Sequence, residues 1–190
     1  LSAAKLAWCG IDAFSQVPSE RWKQSEAILG IARQHQAIRH GAFLKAVQVF
    51  DNGMFNISSA EAMVMDPQQR CLLEQGYSAL HMDGQRKREL IGREVGVYVG
   101  VWAVEYDHVL ASSPLAASVY AVTSATCSVI VGRLSYALGL QGPCISIDTA
   151  CSSGLVANYS ASRALVHDGC LNALAAGVNM IFSPRICASM

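Results

Sequence analysis

Short apolar runs alternate with segments of helical periodicity, and this alternation restricts the fold more than any other feature of the chain. The apolar runs lie at residues 95–101, 144–148 and 174–182. The first of them is β-branched and short, as expected of a strand covered on both faces. Helical segments are predicted between them, at residues 67–81, 124–138 and 152–167. This order predicts an α/β fold with a mostly parallel central sheet and helices on both faces.

The helix limits are marked by capping residues. Asp66 offers an N-cap carboxylate and Pro67 suits a first helical turn, while Gly139 and Gly169 are typical of helix C-termini. A further helix is predicted over residues 27–39 from its apolar spacing. No repeat or long linker interrupts the sequence, so residues 1–190 are predicted to be one piece of one domain.

Composition limits the functional classes. The chain has 190 residues, of which 52% are hydrophobic and 15% charged, which predicts a large buried core. Fourteen basic residues balance fourteen acidic ones, so electrostatic capture of nucleic acid or an anionic membrane is not indicated. The longest apolar runs are about half of the roughly 20 residues that span a bilayer. No signal-peptide pattern follows Leu1.

Seven cysteines are spread along the chain without a C-x-x-C pair. This spacing disfavours a disulfide framework and predicts that no metal is bound. A reducing, intracellular compartment fits such a set. Six of the seven are interpreted as small buried hydrophobic residues, namely Cys9, Cys71, Cys127, Cys144, Cys170 and Cys187.

Cys151 is the exception, because it lies on a bend of small residues between the strand at 144–148 and the helix at 152–167. Amides at the start of that helix would favour a thiolate and could bind an oxyanion formed when the sulfur attacks a thioester. An inert cysteine beside a Ser/Thr helix cap explains the same spacing equally well. Asp148 fits a buried acceptor for the amides of the turn better than a catalytic carboxylate.

Longer motifs resemble a known family, the β-ketoacyl synthases of polyketide synthases and animal-type fatty acid synthases. Its active-site motif is similar to Asp148-Thr149-Ala150-Cys151-Ser152-Ser153. Its helix leading into the core is similar to Met65-Asp66-Pro67-Gln68-Gln69-Arg70. Further similarity is found at residues 17–22, 41–44, 132–143 and 176–179, so the resemblance covers residues 8 to 184.

The resemblance implies the N-terminal half of a thiolase-like fold and a nucleophilic role for Cys151, with its backbone N–H in the oxyanion hole. In that family the cysteine takes an acyl chain from the phosphopantetheine of an acyl carrier protein. A malonyl-type extender is then decarboxylated and attacks the acyl thioester. The resemblance implies no cofactor bound by this chain. It implies a homodimer, for which the strand at about 174–182 is the predicted interface.

The chain departs from the family in two respects. The family's two histidines and lysine lie in its second half, and none of the five histidines at 35, 40, 81, 108 and 167 matches their motifs. The family's first strand is also absent before Leu1. We therefore expect a domain that is incomplete at both ends and that does not condense substrates alone.

Other functions compete with this interpretation. A degradative thiolase lacks the motifs around Cys151 and Pro67, so their presence counts against it. A non-elongating ketosynthase, which transfers acyl chains without condensing them, stays open, because the missing histidine would follow Met190. A non-catalytic scaffold subunit typically replaces the cysteine, and Cys151 is retained.

Overall fold

A computed structural model describes residues 8–19, 21, 39–44, 46–102, 105–124 and 126–183. They fall into two compact units, one formed by residues 1–46 with 181–190 and the other by residues 47–180. In the first unit, strands β1 (Phe14–Gln16) and β2 (His40–Ala42) pair antiparallel. The helix predicted at 27–39 lies outside the described residues, apart from Arg39.

In the first unit, the side chain of Arg21 lies against two aromatic rings. The Arg21 guanidinium lies 5.9 Å from the ring centroid of Phe43 and 5.6 Å from that of Phe182. Its Nη1 donates a hydrogen bond to the Ile181 carbonyl at 3.3 Å. Burial lowers the pKa of Arg21 from its ordinary value. These contacts connect residues that are far apart in sequence within this unit.

The second unit is built on a three-stranded parallel sheet, as the sequence predicts. Strand β3 (Val95–Val101) is central, with β4 (Cys144–Ile147) on one side and β5 (Asn172–Val178) on the other. Val97 of β3 is in register with Cys144 and with Leu174. Since all three strands are parallel, their C-terminal ends lie side by side at the same end of the sheet.

Helices cover both faces of this sheet. Helices α2 (Pro67–Met82) and α6 (Cys127–Leu138) pack on one face, and α7 (Ser153–His167) packs on the other. The shorter helices of the unit are α1 (Ser59–Val64), α3 (Lys87–Leu90), α4 (Tyr106–Ala111) and α5 (Ala121–Ser124). No helix among the described residues is long and apolar enough to cross a bilayer.

The two faces of β3 carry different side chains because successive residues of a strand point in opposite directions. Val95, Val97, Val99 and Val101 join the core formed with α2 and α6. On the opposite face Tyr98 joins a smaller core, which contains the α7 alanines Ala157, Ala161 and Ala164. The alanines have no bulk beyond Cβ, so α7 can lie close to the strands.

Helix α2 begins as predicted. The Asp66 carboxylate accepts a hydrogen bond from the Gln68 N–H at 2.7 Å, and Pro67 occupies the first turn. Helix α6 ends at Gly139, whose φ is +69°. Its start differs from the prediction of residue 124, because Ser124 ends the separate helix α5 and Thr126 caps α6. Strand β5 lies earlier in the chain than the predicted 174–182.

Candidate active site

Cys151 lies on a short 3-10 turn, Ala150–Ser152, that joins the end of β4 to the start of α7. The thiol is exposed and forms no disulfide. It directly precedes a 15-residue helix, whose first amides carry a partial positive charge and lack acceptors within the helix. This placement on a strand-to-helix bend agrees with the prediction from sequence.

Side-chain hydrogen bonds hold this turn in shape. Ser153 is buried, and its Oγ accepts a hydrogen bond from the Thr149 N–H at 2.8 Å and donates one to the Ala150 carbonyl at 2.7 Å. The Ser152 hydroxyl donates to the Thr149 carbonyl at 2.7 Å. The polar residues around Cys151 therefore fix the backbone of the turn, which leaves the thiol uncovered.

Asp148 serves the same turn. Its Oδ1 accepts a hydrogen bond from the Ala150 N–H at 3.0 Å. This is the acceptor role favoured from the sequence, although the hydrogen bond is exposed and not buried as predicted.

The backbone of the turn is strained next to the thiol. Ala150 has a φ of +54°, in the left-handed region that residues with a Cβ rarely adopt. Such a conformation costs on the order of 1–2 kcal/mol and persists only where the surroundings impose it. Here the hydrogen bonds from Ala150 to Asp148 and from Ser153 to Ala150 do so. The strain turns the chain sharply at the residue just before the one that carries the sulfur.

Glycine in the sheet lets α7 begin directly on β3. A Cβ on Gly100 would lie 2.4 Å from the carbonyl carbon of Ser153 and 2.5 Å from the nitrogen of Gly154. A Cβ on Gly177 of β5 would lie 3.3 Å from the Gly154 Cα. The first turn of α7 can therefore approach β3 and β5 only because these positions lack side chains. The sequence analysis missed this, although a strand with glycine at two positions on the same face signals close backbone approach.

An open pocket of about 230 Å³ adjoins Cys151. Its lining comes from the ends of β3 and β5 and from the turn, and comprises Gly100, Trp102, Ala150, Cys151, Ser153, Gly154, Gly177, Val178 and Asn179. Small residues form most of the lining, so bulky side chains do not close off the sulfur. Trp102 and Asn179 are further side chains beside the site that sequence reasoning did not identify.

Comparison with known proteins agrees with this geometry. The family described as "Beta-ketoacyl synthase, N-terminal domain" matches residues 5–190. The chain belongs to the β-ketoacyl synthase family. The resemblance seen in the motifs and the predicted thiolase-like fold are thereby confirmed.

Relatives of this ketosynthase chain are polyketide synthases. It is 40% identical over 176 residues to erythronolide synthase EryA3 of Saccharopolyspora erythraea, covering 92% of this chain and 5% of the relative. It is 39% identical over 178 residues to polyketide synthase GfsB of Streptomyces halstedii, covering 92% and 3%. The chain thus spans a small part of the curated relatives that it matches.

Solved ketosynthases share its fold. The ketosynthase from module 6 of the bacillaene synthase of Bacillus subtilis 168 matches with a TM-score of 0.80 and 30% identity, over 98% of this chain and 29% of that structure. The oxazolomycin ketosynthase domain OzmH KS7 of Streptomyces albus JA3453 matches with a TM-score of 0.82 and 30% identity, over 98% and 34%.

The other cysteines of the ketosynthase chain differ from the prediction that they are buried. Only Cys170 is buried among the described ones; Cys71 and Cys127 are partly buried, and Cys9 and Cys144 are exposed. Burial, together with the charge of Asp148, raises the pKa of Cys127. Cys187 lies outside the described residues. The prediction is confirmed for Cys170 and wrong for Cys9 and Cys144, of which Cys144 begins the outer strand β4 of the described sheet.

The described histidines of the second unit do not line the pocket beside Cys151: none of His81, His108 and His167 is among its lining residues. His40 lies on β2 of the first unit. His81 and His167 lie in the last turns of α2 and α7, and the side chain of His108 is 80% exposed. His35 lies outside the described residues. No group of three or more potential metal ligands occurs among the described residues.

Proposed function

We propose that Cys151 is the acyl-accepting nucleophile of a polyketide ketosynthase. The Cys151 sulfur attacks the carbonyl of an acyl thioester carried on the phosphopantetheine of an acyl carrier protein. A new sulfur–acyl bond forms, the bond to the carrier sulfur breaks, and the carrier thiol leaves with the proton that Cys151 gave up. The carrying observation is the exposed thiol on a strained turn at the start of α7, beside an open pocket.

The oxyanion of this transfer needs hydrogen-bond donors. We assign the backbone N–H of Cys151 to that role, because donors at the start of a helix are already oriented and need no reorganisation during reaction. The hydrogen bonds that Ser153 makes to Thr149 and Ala150 support this assignment, since they fix the backbone on the N-terminal side of the donor.

The condensation step needs groups beyond these residues. A malonyl-type extender loses carbon dioxide to give an enolate, which attacks the acyl group on Cys151 and releases a β-ketoacyl thioester. Histidine commonly donates or accepts the protons of such steps. No described histidine of the second unit lines the pocket. We propose that these 190 residues carry out acylation only within a complete ketosynthase and do not condense alone.

One face of α7 is apolar and exposed, which supports the proposal that another part of the protein covers it. Leu155, Tyr159 and Val166 of α7 are 73%, 63% and 74% exposed, and their spacing places them on one side of the helix. Large apolar patches on a helix usually mark an interface. We propose that the second half of the ketosynthase packs there, and that the isolated chain is poorly soluble.

Self-association is proposed through residues 174–182, as in the sequence-based expectation. Strand β5 is one edge of the three-stranded sheet and β4 is the other, and an open strand edge can pair with another chain. Crosslinking of the complete ketosynthase distinguishes self-association through β5 from self-association through β4. Crosslinks between two copies at Asn172–Val178 are expected, and crosslinks confined to Cys144–Ile147 would contradict this interface.

Acylation is tested on the complete ketosynthase by intact-protein mass spectrometry. Incubation with an acyl thioester is expected to add the acyl mass to wild type and to Cys144→Ala, which removes another exposed thiol, but not to Cys151→Ala. Product analysis with a malonyl thioester then separates an elongating from a non-elongating ketosynthase. No mass gain in folded wild-type protein would favour the scaffold alternative.

A further inference from the structure

The segment at residues 65–70 contains a buried polar network that acylation chemistry does not by itself require. The side chain of Gln68 is fully buried. Its Nε2 donates a hydrogen bond to Asp66 Oδ2 at 3.2 Å, and its backbone N–H donates to Asp66 Oδ1 at 2.7 Å. Its Oε1 accepts a hydrogen bond from the Met180 N–H at 3.1 Å, across 112 positions of sequence.

This arrangement fixes which end of the carboxamide faces Met180. Because the Asp66 carboxylate only accepts hydrogen bonds when ionised, the Gln68 NH₂ group must face it, and the oxygen is left for the Met180 N–H. Met180 is itself buried. The backbone just after β5 is therefore held in place by a side chain of α2.

The held backbone is one wall of the Cys151 pocket. Gly177, Val178 and Asn179 line that pocket, and Met180 follows Asn179 directly. Among the described residues, the pairing of β5 with β3 ends at Val178, opposite Val101. The Gln68 carboxamide thus supplies a hydrogen bond that fixes this wall beyond the end of the sheet.

We propose that Gln68 is a positioning residue for the pocket of Cys151, acting through the Met180 N–H on the wall formed by residues 177–179. The proposal rests on the proposed acylation of Cys151. Correct placement of an acyl thioester depends on both walls of the pocket, whereas attack of the thiol on a small electrophile does not. Loss of the Gln68 hydrogen bond therefore slows acylation and leaves the intrinsic reactivity of the thiol unchanged.

A neighbouring residue provides a matched control. Gln69 is equally buried, lies on the same helix, and its Nε2 donates to the carbonyls of Thr123 and Ser124 at 3.1 and 2.8 Å. Neither of these hydrogen bonds reaches the pocket wall, so Gln69→Met removes buried hydrogen bonds of similar kind without releasing Met180. Gln68→Met is the corresponding test variant, and methionine keeps the length of the side chain in both variants.

Three measurements on the complete ketosynthase test the proposal. Hydrogen exchange at the Met180 amide is expected to rise at least about tenfold in Gln68→Met and to stay near wild type in Gln69→Met. Acylation at saturating acyl thioester is expected to fall about tenfold in Gln68→Met only. Alkylation of Cys151 by iodoacetamide is expected to stay within about twofold in both variants.

A double variant that exchanges the amide and carboxylate groups of residues 66 and 68 is expected to restore the hydrogen bond to Met180. In the double variant Asp66→Asn/Gln68→Glu, an amide at position 66 can donate to a carboxylate at position 68, which can still accept the Met180 N–H. Protection of Met180 and the acylation rate are expected to recover relative to Gln68→Met.

Two results would overturn the proposal: unchanged Met180 exchange in Gln68→Met, or an equal loss of acylation in Gln68→Met and Gln69→Met. Failure of wild type to acylate would refute the proposed function separately, because the exchange and alkylation measurements need no acyl donor.

Discussion

Gly100 of the central strand and Ser153 of α7 approach so closely that a Cβ at residue 100 would lie 2.4 Å from the Ser153 carbonyl carbon. No side-chain rotation relieves such a contact, because a Cβ has a fixed position on its Cα and the Ser153 carbonyl belongs to the backbone. The position of the helix that follows Cys151 is therefore set by the absence of a side chain on the sheet.

Gly100→Ala is expected to move the start of α7 away from β3. We expect it to slow acylation of Cys151 at least about tenfold and to lower the free energy of unfolding by about 1–3 kcal/mol, as overpacking does. Gly132→Ala is the control, because no atom lies within 4 Å of its added Cβ and alanine favours a helix interior. Equal acylation rates in the two variants would contradict the close-approach argument.

Ala150→Gly tests the strain at the turn. Glycine adopts a φ of +54° without steric cost, and this gain offsets its larger entropy in the unfolded chain. We expect the free energy of unfolding to be unchanged or to rise by up to about 1 kcal/mol. Ala161→Gly, in the interior of α7, is expected to lower it by about 1 kcal/mol. Chemical denaturation compares them, and a large loss in Ala150→Gly would argue against strain at Ala150.

Ser153→Ala removes both side-chain hydrogen bonds that join Thr149 and Ala150 to α7. We expect a loss of about 1–2 kcal/mol in stability and slower acylation, because a buried polar contact is lost beside Cys151. The control is Ser162→Ala, an α7 serine whose exposed hydroxyl bonds back to the Asn158 carbonyl, with an expected change within about 0.5 kcal/mol. Thermal melting and acyl mass gain provide the two readouts.

Asp66 predicts a pH dependence of stability. Burial raises its pKa from 3.8 to about 6, against the lowering effect of hydrogen bonds from Gln68. The folded state therefore binds a proton more tightly than the unfolded state, and the stability so gained is present below about pH 4 and lost as pH rises through about 6. Wild type is expected to lose about 2 kcal/mol between pH 4.5 and 7.5 from this group.

Asp66→Asn isolates that contribution. Its amide cannot titrate, so its stability relative to wild type is expected to increase as pH rises from about 4.5 to about 7.5. Denaturation of both proteins at several pH values measures the difference. A constant difference across this range would show that Asp66 titrates as an ordinary carboxylate.

The sequence predicted the elements that position the thiol, because capping residues and apolar runs are local signals. Pro67, Gly139 and the β-branched run of β3 mark limits that the structure reproduces closely. The bend at Cys151 was predictable for the same reason. The family was identified from motifs. Composition and spacing alone left the family and the role of Cys151 undecided.

Tertiary contacts set the limits that the sequence did not predict. Ser124 resembles a helix start, yet its carbonyl accepts hydrogen bonds from the Asp66 N–H and from Gln69, and α6 starts only at Cys127. Strand β5 stops at Val178, which pairs with Val101 at the end of β3. Met180 then bonds to Gln68 in place of a strand. These partners are distant in sequence, so no local pattern reveals them.

The parallel order β4-β3-β5 also has a consequence for synthesis on the ribosome. The pocket combines residues near positions 100, 151 and 178, and the last of these strands is translated well after the cysteine. Pairing between such distant strands is slow and must wait until all of them have emerged. The thiol of Cys151 is therefore translated before Gly177, Val178 and Asn179, which complete the wall of its pocket.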